Sequence, residues 1–169
     1  MNAQPEPLAG AGPAGGTPFF RPWDWLMLAI TFTVLWSLYL FTLAPEQTLR
    51  MSGELCTSAY YAGIPHNPGY PLWTLYSWLW TCILPFGNVA WRVEVGQSFA
   101  SALGCGLLTL MVSQGGSRML ASLAWFQNFS SPQARAISGG AGVVAGLLLG
   151  LDPFMWSGSV TVSWRPRAS

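Results

Sequence analysis

The residues best suited to chemistry lie between Arg50 and Arg92. Glu54 is a carboxylate in the first half of that stretch, and His66, the single histidine of the chain, follows it. A glutamate held near an apolar surface can serve as a general base, because partial loss of water raises its affinity for a proton. His66 is suited to donate to a phosphate oxygen or relay a proton. Arg92 carries the planar guanidinium that grips a phosphate through paired hydrogen bonds. Each has a plainer alternative: Glu54 as a solvated loop residue, His66 bonded to nearby backbone, and Arg92 reaching from an apolar helix to the lipid headgroups.

Local sequence indicates how these groups would be held. Ser52 to Tyr61 is compatible with a helix, with Ser52 as its cap and Gly53 beside it. Glu54, Ser58 and Tyr61 then share one face, at i, i+4 and i+7. The segment from Gly63 to Pro71 follows, with prolines at 65, 68 and 71 and glycines at 63 and 69. Pro68, Gly69 and Pro71 fix a turning backbone that sets the positions of His66 and Tyr70. Tyr60, Tyr61 and Tyr70 are suited to packing as well as to lining a substrate.

The elements around this loop are apolar. The chain has 169 residues, 51% hydrophobic and only 8% charged, and every basic residue is arginine. That is too little charge for a soluble surface, so the lipid bilayer is the expected surrounding. A net charge of +1 with no basic cluster excludes nucleic acid as a partner. Cys56, Cys82 and Cys105 are far apart and show no metal spacing, and one histidine cannot make a histidine-rich site. No metal site and no cofactor is identified.

Met1 to Thr17 is rich in Pro, Gly and Ala and reads as a disordered tail. From Trp25 to Pro45 there is no charge, enough helix to cross a bilayer about 30 Å thick. A second span is expected from Val93 to Gln114, with a small-residue stripe at Gly96, Ala100 and Gly104. A shorter third is expected from Ile137 to Leu151, with Ser138, Gly142, Gly146 and Gly150 in a stripe of the same interval. Both stripes imply close helix neighbours, some beyond this chain. Leu72 to Leu84 would be only about 20 Å of helix, short of a crossing. Read as a helix lying in the interface, it leaves Arg21, Arg118 and Arg135 on one side, the cytoplasmic one by the positive-inside rule. The loop from Arg50 to Arg92 then faces outward, to a periplasm or lumen. Asn128-Phe129-Ser130 matches a glycosylation sequon but falls on the cytoplasmic side.

The run Ser52-Gly53-Glu54, then Ala59-Tyr60 leading to Gly63-Ile64-Pro65-His66-Asn67-Pro68-Gly69-Tyr70-Pro71-Leu72, then Pro85 to Val93 resembles the first external loop of a known family. That family is the protein O-mannosyltransferase-related (transmembrane protein 260-like) group of multi-pass membrane proteins. The resemblance covers roughly Trp25 to Val162. It implies an all-α integral membrane fold: the N-terminal part of a GT-C-like helical bundle, with about three transmembrane helices and interfacial helices in the first external loop. It divides the chain into a tail (1–20), a membrane part (21–162) and a C-terminal stretch unlike the family (163–169). It also implies a glycosyltransferase using a polyprenyl-phosphate sugar, a protein or glycan acceptor, and an acidic residue in the first loop. Many relatives carry an aspartate where this chain has Met51. Relatives also continue into further helices, so truncation or a shifted frame is expected, and the chain alone is expected to be inactive. The alternatives are a non-catalytic membrane protein with an interaction role and a transporter. The transporter should carry charges inside its spans, and none is expected there.

Overall fold

The computed structural model describes residues 20–43, 52–65, 70–122 and 129–160. These form six helices: α1 (Pro22–Thr42), α2 (Ser52–Tyr61), α3 (Pro71–Ile83), α4 (Val89–Ala121), α5 (Ser131–Leu151) and α6 (Pro153–Val160). No strand occurs among the described residues. Three helices are long and apolar enough to cross a membrane: Pro22–Thr42, Val89–Leu120 and Ser131–Leu151. The chain is an all-α integral membrane protein. Met1 to Thr17, His66, Pro68, Gly69 and the end of the chain lie outside the described residues.

Two spans are longer than expected. α4 has 33 residues, roughly 50 Å of helix, so it projects beyond a hydrocarbon layer of about 30 Å. α5 begins at Ser131 rather than near Ile137 and has 21 residues. The expected spans stop short of Arg92, Arg118 and Arg135, yet near a helix end a long charged side chain reaches the headgroups or backbone and the helix continues. α5 is capped at Ser130, whose amide donates to Gln133 Oε1 at 3.1 Å, with proline in its first turn.

Pairings between helices set the topology. Asp24 Oδ1 accepts from Ser113 Oγ at 2.5 Å, Thr109 Oγ1 donates to Thr31 Oγ1 at 3.1 Å, and Phe32 and Trp36 pack edge-on against Phe99. Numbers rise along α1 as they fall along α4, so the two are antiparallel. Gly139 faces Trp23 and Met27, Gly146 faces Thr31 and Gly150 faces Leu35, so α5 runs parallel to α1. An antiparallel α1 and α4 require the chain between them to return to the end it left. A single crossing by α3 would reverse that, so α3 is not a span. Arg21, Arg118 and Arg135 consequently share one end of the bundle, and α2 and α3 sit at the other.

Lipid solvent inverts the usual inside and outside. Leu26, Ile30, Val34, Leu103, Leu107, Val144 and Leu148 are exposed, while Thr31, Ser98, Thr109, Ser113 and Ser138 are buried. Apolar side chains gain nothing by leaving lipid, so small residues and interhelical hydrogen bonds hold the spans together. Tyr39 adds a bond from its hydroxyl to the Gly150 carbonyl at 2.7 Å. The α5 stripe packs as expected: Ser138, Gly142, Gly146 and Gly150 are all buried. The α4 stripe meets a neighbour within this chain at one end only, in keeping with the expectation that some neighbours lie beyond it. Gly104 has nothing within 4 Å of a Cβ position, and only Gly96 meets a neighbour, Trp80 of α3. α4 meets α1 and α5 through Cys105, Thr109 and Ser113, small side chains of which Thr109 and Ser113 also hydrogen-bond to α1. Asp24 and Glu94 are buried near the starts of α1 and α4, at the edges of the spans and not in their interiors. Asp152 ends α5, and its carboxylate caps α6 by accepting from the Phe154 and Met155 amides at 3.0 and 3.3 Å.

Candidate active site

The loop end is a cap of α2 and α3 on the projecting start of α4. Leu55, Cys56 and Ala59 of α2 pack on Ala90 and Val93 of α4, with Trp73 and Val89 alongside. α3 docks through aromatic groups: Tyr76 donates to the Gly96 carbonyl at 2.6 Å, and Trp80 lies 5.4 Å from Phe99 between ring centres. Its buried face carries Thr74, Ser77 and Thr81, while Leu72, Leu75, Leu79 and Ile83 are exposed. Trp73, Tyr76 and Trp80 thus lie on the docking side of α3.

α2 ends in a left-handed turn. Ala62 has φ 51°, and the Gly63 amide donates to the Ser58 carbonyl at 2.8 Å, the six-to-one bond of a Schellman motif. That turn folds Gly63, Ile64 and Pro65 back beside the helix. Between them and α2 lies a cavity of about 360 Å³ lined by Gly53, Glu54, Thr57, Ser58, Tyr61, Gly63, Ile64 and Pro65. Glu54, Ser58 and Tyr61 do share a face, and it is the face that opens into this cavity. Glu54 and Tyr61 are exposed, while Ser58 is buried and its hydroxyl donates to the Glu54 carbonyl at 2.6 Å. The carboxylate of Glu54, in the first turn of α2, also lies toward the positive end of the helix dipole.

The other predicted residues are distributed around the cap. Ser52 opens α2, and Pro71 opens α3. Tyr70 caps α3 with φ 38°, a left-handed conformation that the following proline makes costly, and its carbonyl accepts from the Thr74 amide at 2.9 Å and hydroxyl at 3.1 Å. Arg92 stands at the opposite end of α3. Its guanidinium donates to the carbonyls of Thr81, Phe86 and Gly87 at 3.2, 3.2 and 3.0 Å, tying the end of α3 to the turn that starts α4. That turn depends on Gly87 at φ 80°, where a side chain would be strained and would meet Trp91 at 2.8 Å. Asn88 then caps α4, accepting from the Trp91 amide at 2.7 Å. Arg92 does not line the Glu54 cavity.

One group near the site was assigned no role in the sequence. Glu94, 1% exposed, lies beneath α2. Burial, and secondarily the Glu94 carboxylate, push the Cys56 thiol up to about 11, so it is a neutral packing group at physiological pH. The available signal was position: Glu94 follows Val93 and falls one turn after Ala90, the two residues on which α2 rests.

These features define a polytopic membrane protein with a small, carboxylate-bearing cavity in the loop that caps one end of its span bundle. Residues 52–163 match the family described as Protein O-mannosyl-transferase TMEM260 N-terminal domain, and the chain belongs to that family. It is 35% identical over 103 residues to a mouse relative named Protein O-mannosyl-transferase TMEM260, covering 61% of this chain and 14% of that protein. A Dictyostelium discoideum relative, Protein O-mannosyl-transferase tmem260, is 30% identical over 80 residues, covering 46% of this chain and 9% of that protein. The match thus spans only a small fraction of the length of these relatives. No solved structure matches the chain.

Proposed function

We propose that this chain forms the opening membrane segment and first loop of a glycosyltransferase that moves a sugar from a polyprenyl-phosphate donor to a hydroxyl of a protein or glycan. The observation that carries the reading is the cavity that collects Glu54, Ser58 and Tyr61 at the end of the bundle, in a chain of this family. Its volume of about 360 Å³ suits one sugar unit rather than an extended chain. Glu54 takes the proton of the acceptor hydroxyl. The freed oxygen forms the new bond to the anomeric carbon as the bond to phosphate breaks, and the phosphate leaves with the electron pair. Ser58 and Tyr61 position the acceptor. Arg92 braces the α3–α4 turn with three of its five N–H groups, and in this reading the other two serve the donor phosphate. In the same reading His66 donates to a phosphate oxygen or relays a proton.

The test uses a chimera in which this chain replaces the matching segment of the mouse relative. Glu54→Gln keeps size and polarity but removes the proton acceptor. General-base catalysis contributes typically 10²–10⁴-fold, so turnover should fall by at least about a hundredfold with little change in donor binding. A fall of less than about fivefold would leave Glu54 no role as base and favour an interaction role for this chain. The reading also places the cap outside and the arginine-bearing end in the cytoplasm. With the exposed Cys82 replaced by serine, a Leu120→Cys chain in intact cells should therefore resist a membrane-impermeant thiol reagent, and rapid labelling would reverse the orientation.

A further inference from the structure

The end of the bundle away from the cap holds a second, larger cavity, of about 540 Å³, lined by Arg21, Pro22, Ser117, Ser131, Ala134, Arg135 and Ser138. In the sequence Arg21 and Arg135 serve only as topology markers. We propose that this cavity binds the phosphate headgroup of a membrane lipid, with Arg21 and Arg135 gripping it between the starts of α1 and α5 and the end of α4.

Its chemistry is that of an anion site. Two guanidiniums, with five donors each, border a space that Ser117 and Ser131 also line. α1 and α5 run parallel, so their N-terminal turns point the same way and add positive dipole ends to the same rim. Arg135 Nη2 touches Ser131 Oγ at only 3.5 Å, a long contact that a phosphate oxygen would readily replace. The acidic group nearby is Asp24, which is buried and already engaged. One oxygen accepts from Ser113 at 2.5 Å and the other from the Arg21 amide at 3.0 Å, which anchors the Arg21 backbone at the rim.

Location and size select a lipid over a soluble ion. Both arginines flank the first turns of spanning helices, at the level where lipid phosphates lie. The cavity is also much larger than one phosphate, leaving space for the ester groups that a lipid carries. Two fixed positive charges favour a monoester headgroup bearing close to two negative charges over a zwitterionic one. The proposal rests on the membrane fold and is independent of the role of Glu54.

Native mass spectrometry of the detergent-solubilised chain tests it with three probes: phosphatidic acid, phosphatidylcholine and inorganic phosphate. Phosphatidic acid should bind at least about tenfold more tightly than phosphatidylcholine, and the double variant Arg21→Gln/Arg135→Gln should lose at least that factor. Arg118→Gln, outside the lining, should change binding by less than about twofold. Ala134→Trp fills the cavity without altering charge and should also abolish the preference, which keeps the test decisive if the double variant does not fold. Equal binding of the two lipids would overturn the proposal, as would an unchanged preference in Ala134→Trp. Competition by inorganic phosphate at the same concentration as the lipid would also overturn it, by showing a site for the free ion.

Discussion

The span bundle and the loop cap are held together by different physics. In the bundle, α5 lays Gly142, Gly146 and Gly150 directly on the backbone and side chains of α1 and α4, and the polar bonds Asp24–Ser113, Thr31–Thr109 and Tyr39–Gly150 link the helices. In the cap, α2 and α3 rest on α4 through larger groups, Leu55, Trp73, Tyr76 and Trp80, and one arginine fastens the turn. Within lipid the hydrophobic effect offers little between helices, so close approach and hydrogen bonds decide. At the boundary aromatic burial regains its strength. The difference implies a rigid base and a cap able to open separately, as suits a region that must admit substrate.

The comparison is broken most severely at Gly146. A Cβ there would collide with the Thr109 hydroxyl and stand 2.9 Å from both the Cys105 carbonyl and Thr31 Cγ2. Gly146→Leu should therefore part α5 from both neighbours, costing more than about 3 kcal/mol, beyond the usual range for overpacking. Thermal unfolding in detergent should show a loss of the folded, monodisperse fraction. Gly104→Leu is the matched control on the same kind of stripe, where nothing lies within 4 Å of the added carbon. Its cost should stay below about 0.5 kcal/mol. Similar losses in both would mean that spacing alone, and not the observed contacts, identifies packing faces.

That pair also shows what the sequence could reveal. The α1 span was legible because an uncharged run of its length has few alternatives, and the α5 stripe because every small residue in it meets a neighbour. On α4 two small-residue faces compete. Glycine drew the reading to Gly96, Ala100 and Gly104, whereas the packed face is built of Ser98, Ala102, Cys105, Thr109 and Ser113, small residues that also hydrogen-bond. Helix ends were misjudged where a charge was taken as a boundary. In the site, helical periodicity was enough to join Glu54, Ser58 and Tyr61. The fold-back of Gly63 to Pro65 was not legible, because it depends on Ala62 accepting a left-handed conformation with glycine one position later. Nor was the engagement of Arg92, whose acceptors are backbone carbonyls brought near by the tertiary turn. A carbonyl has no signature in sequence.

Arg92 is accordingly where the two regions can be separated most gently. Its three bonds, to carbonyls at 3.0 to 3.2 Å, join α3 to α4 and touch neither α1 nor α5. Hydrogen bonds to a charged group contribute about 1.5–3 kcal/mol when buried, and partial exposure lowers the sum, so Arg92→Gln should cost about 1 to 2 kcal/mol. The loss should appear as opening of the cap rather than melting of the bundle. Limited proteolysis would then cut faster within Leu84 to Asn88, while the thermal transition of the spans shifts little. Arg92→Lys should recover only part of the effect, since an ammonium cannot reach three carbonyls arranged for a planar fork. If Arg92→Gln instead lowered the transition of the whole protein as much as Gly146→Leu does, cap and bundle would be one cooperative unit. The distinction between a rigid base and an opening cap would fall with that result.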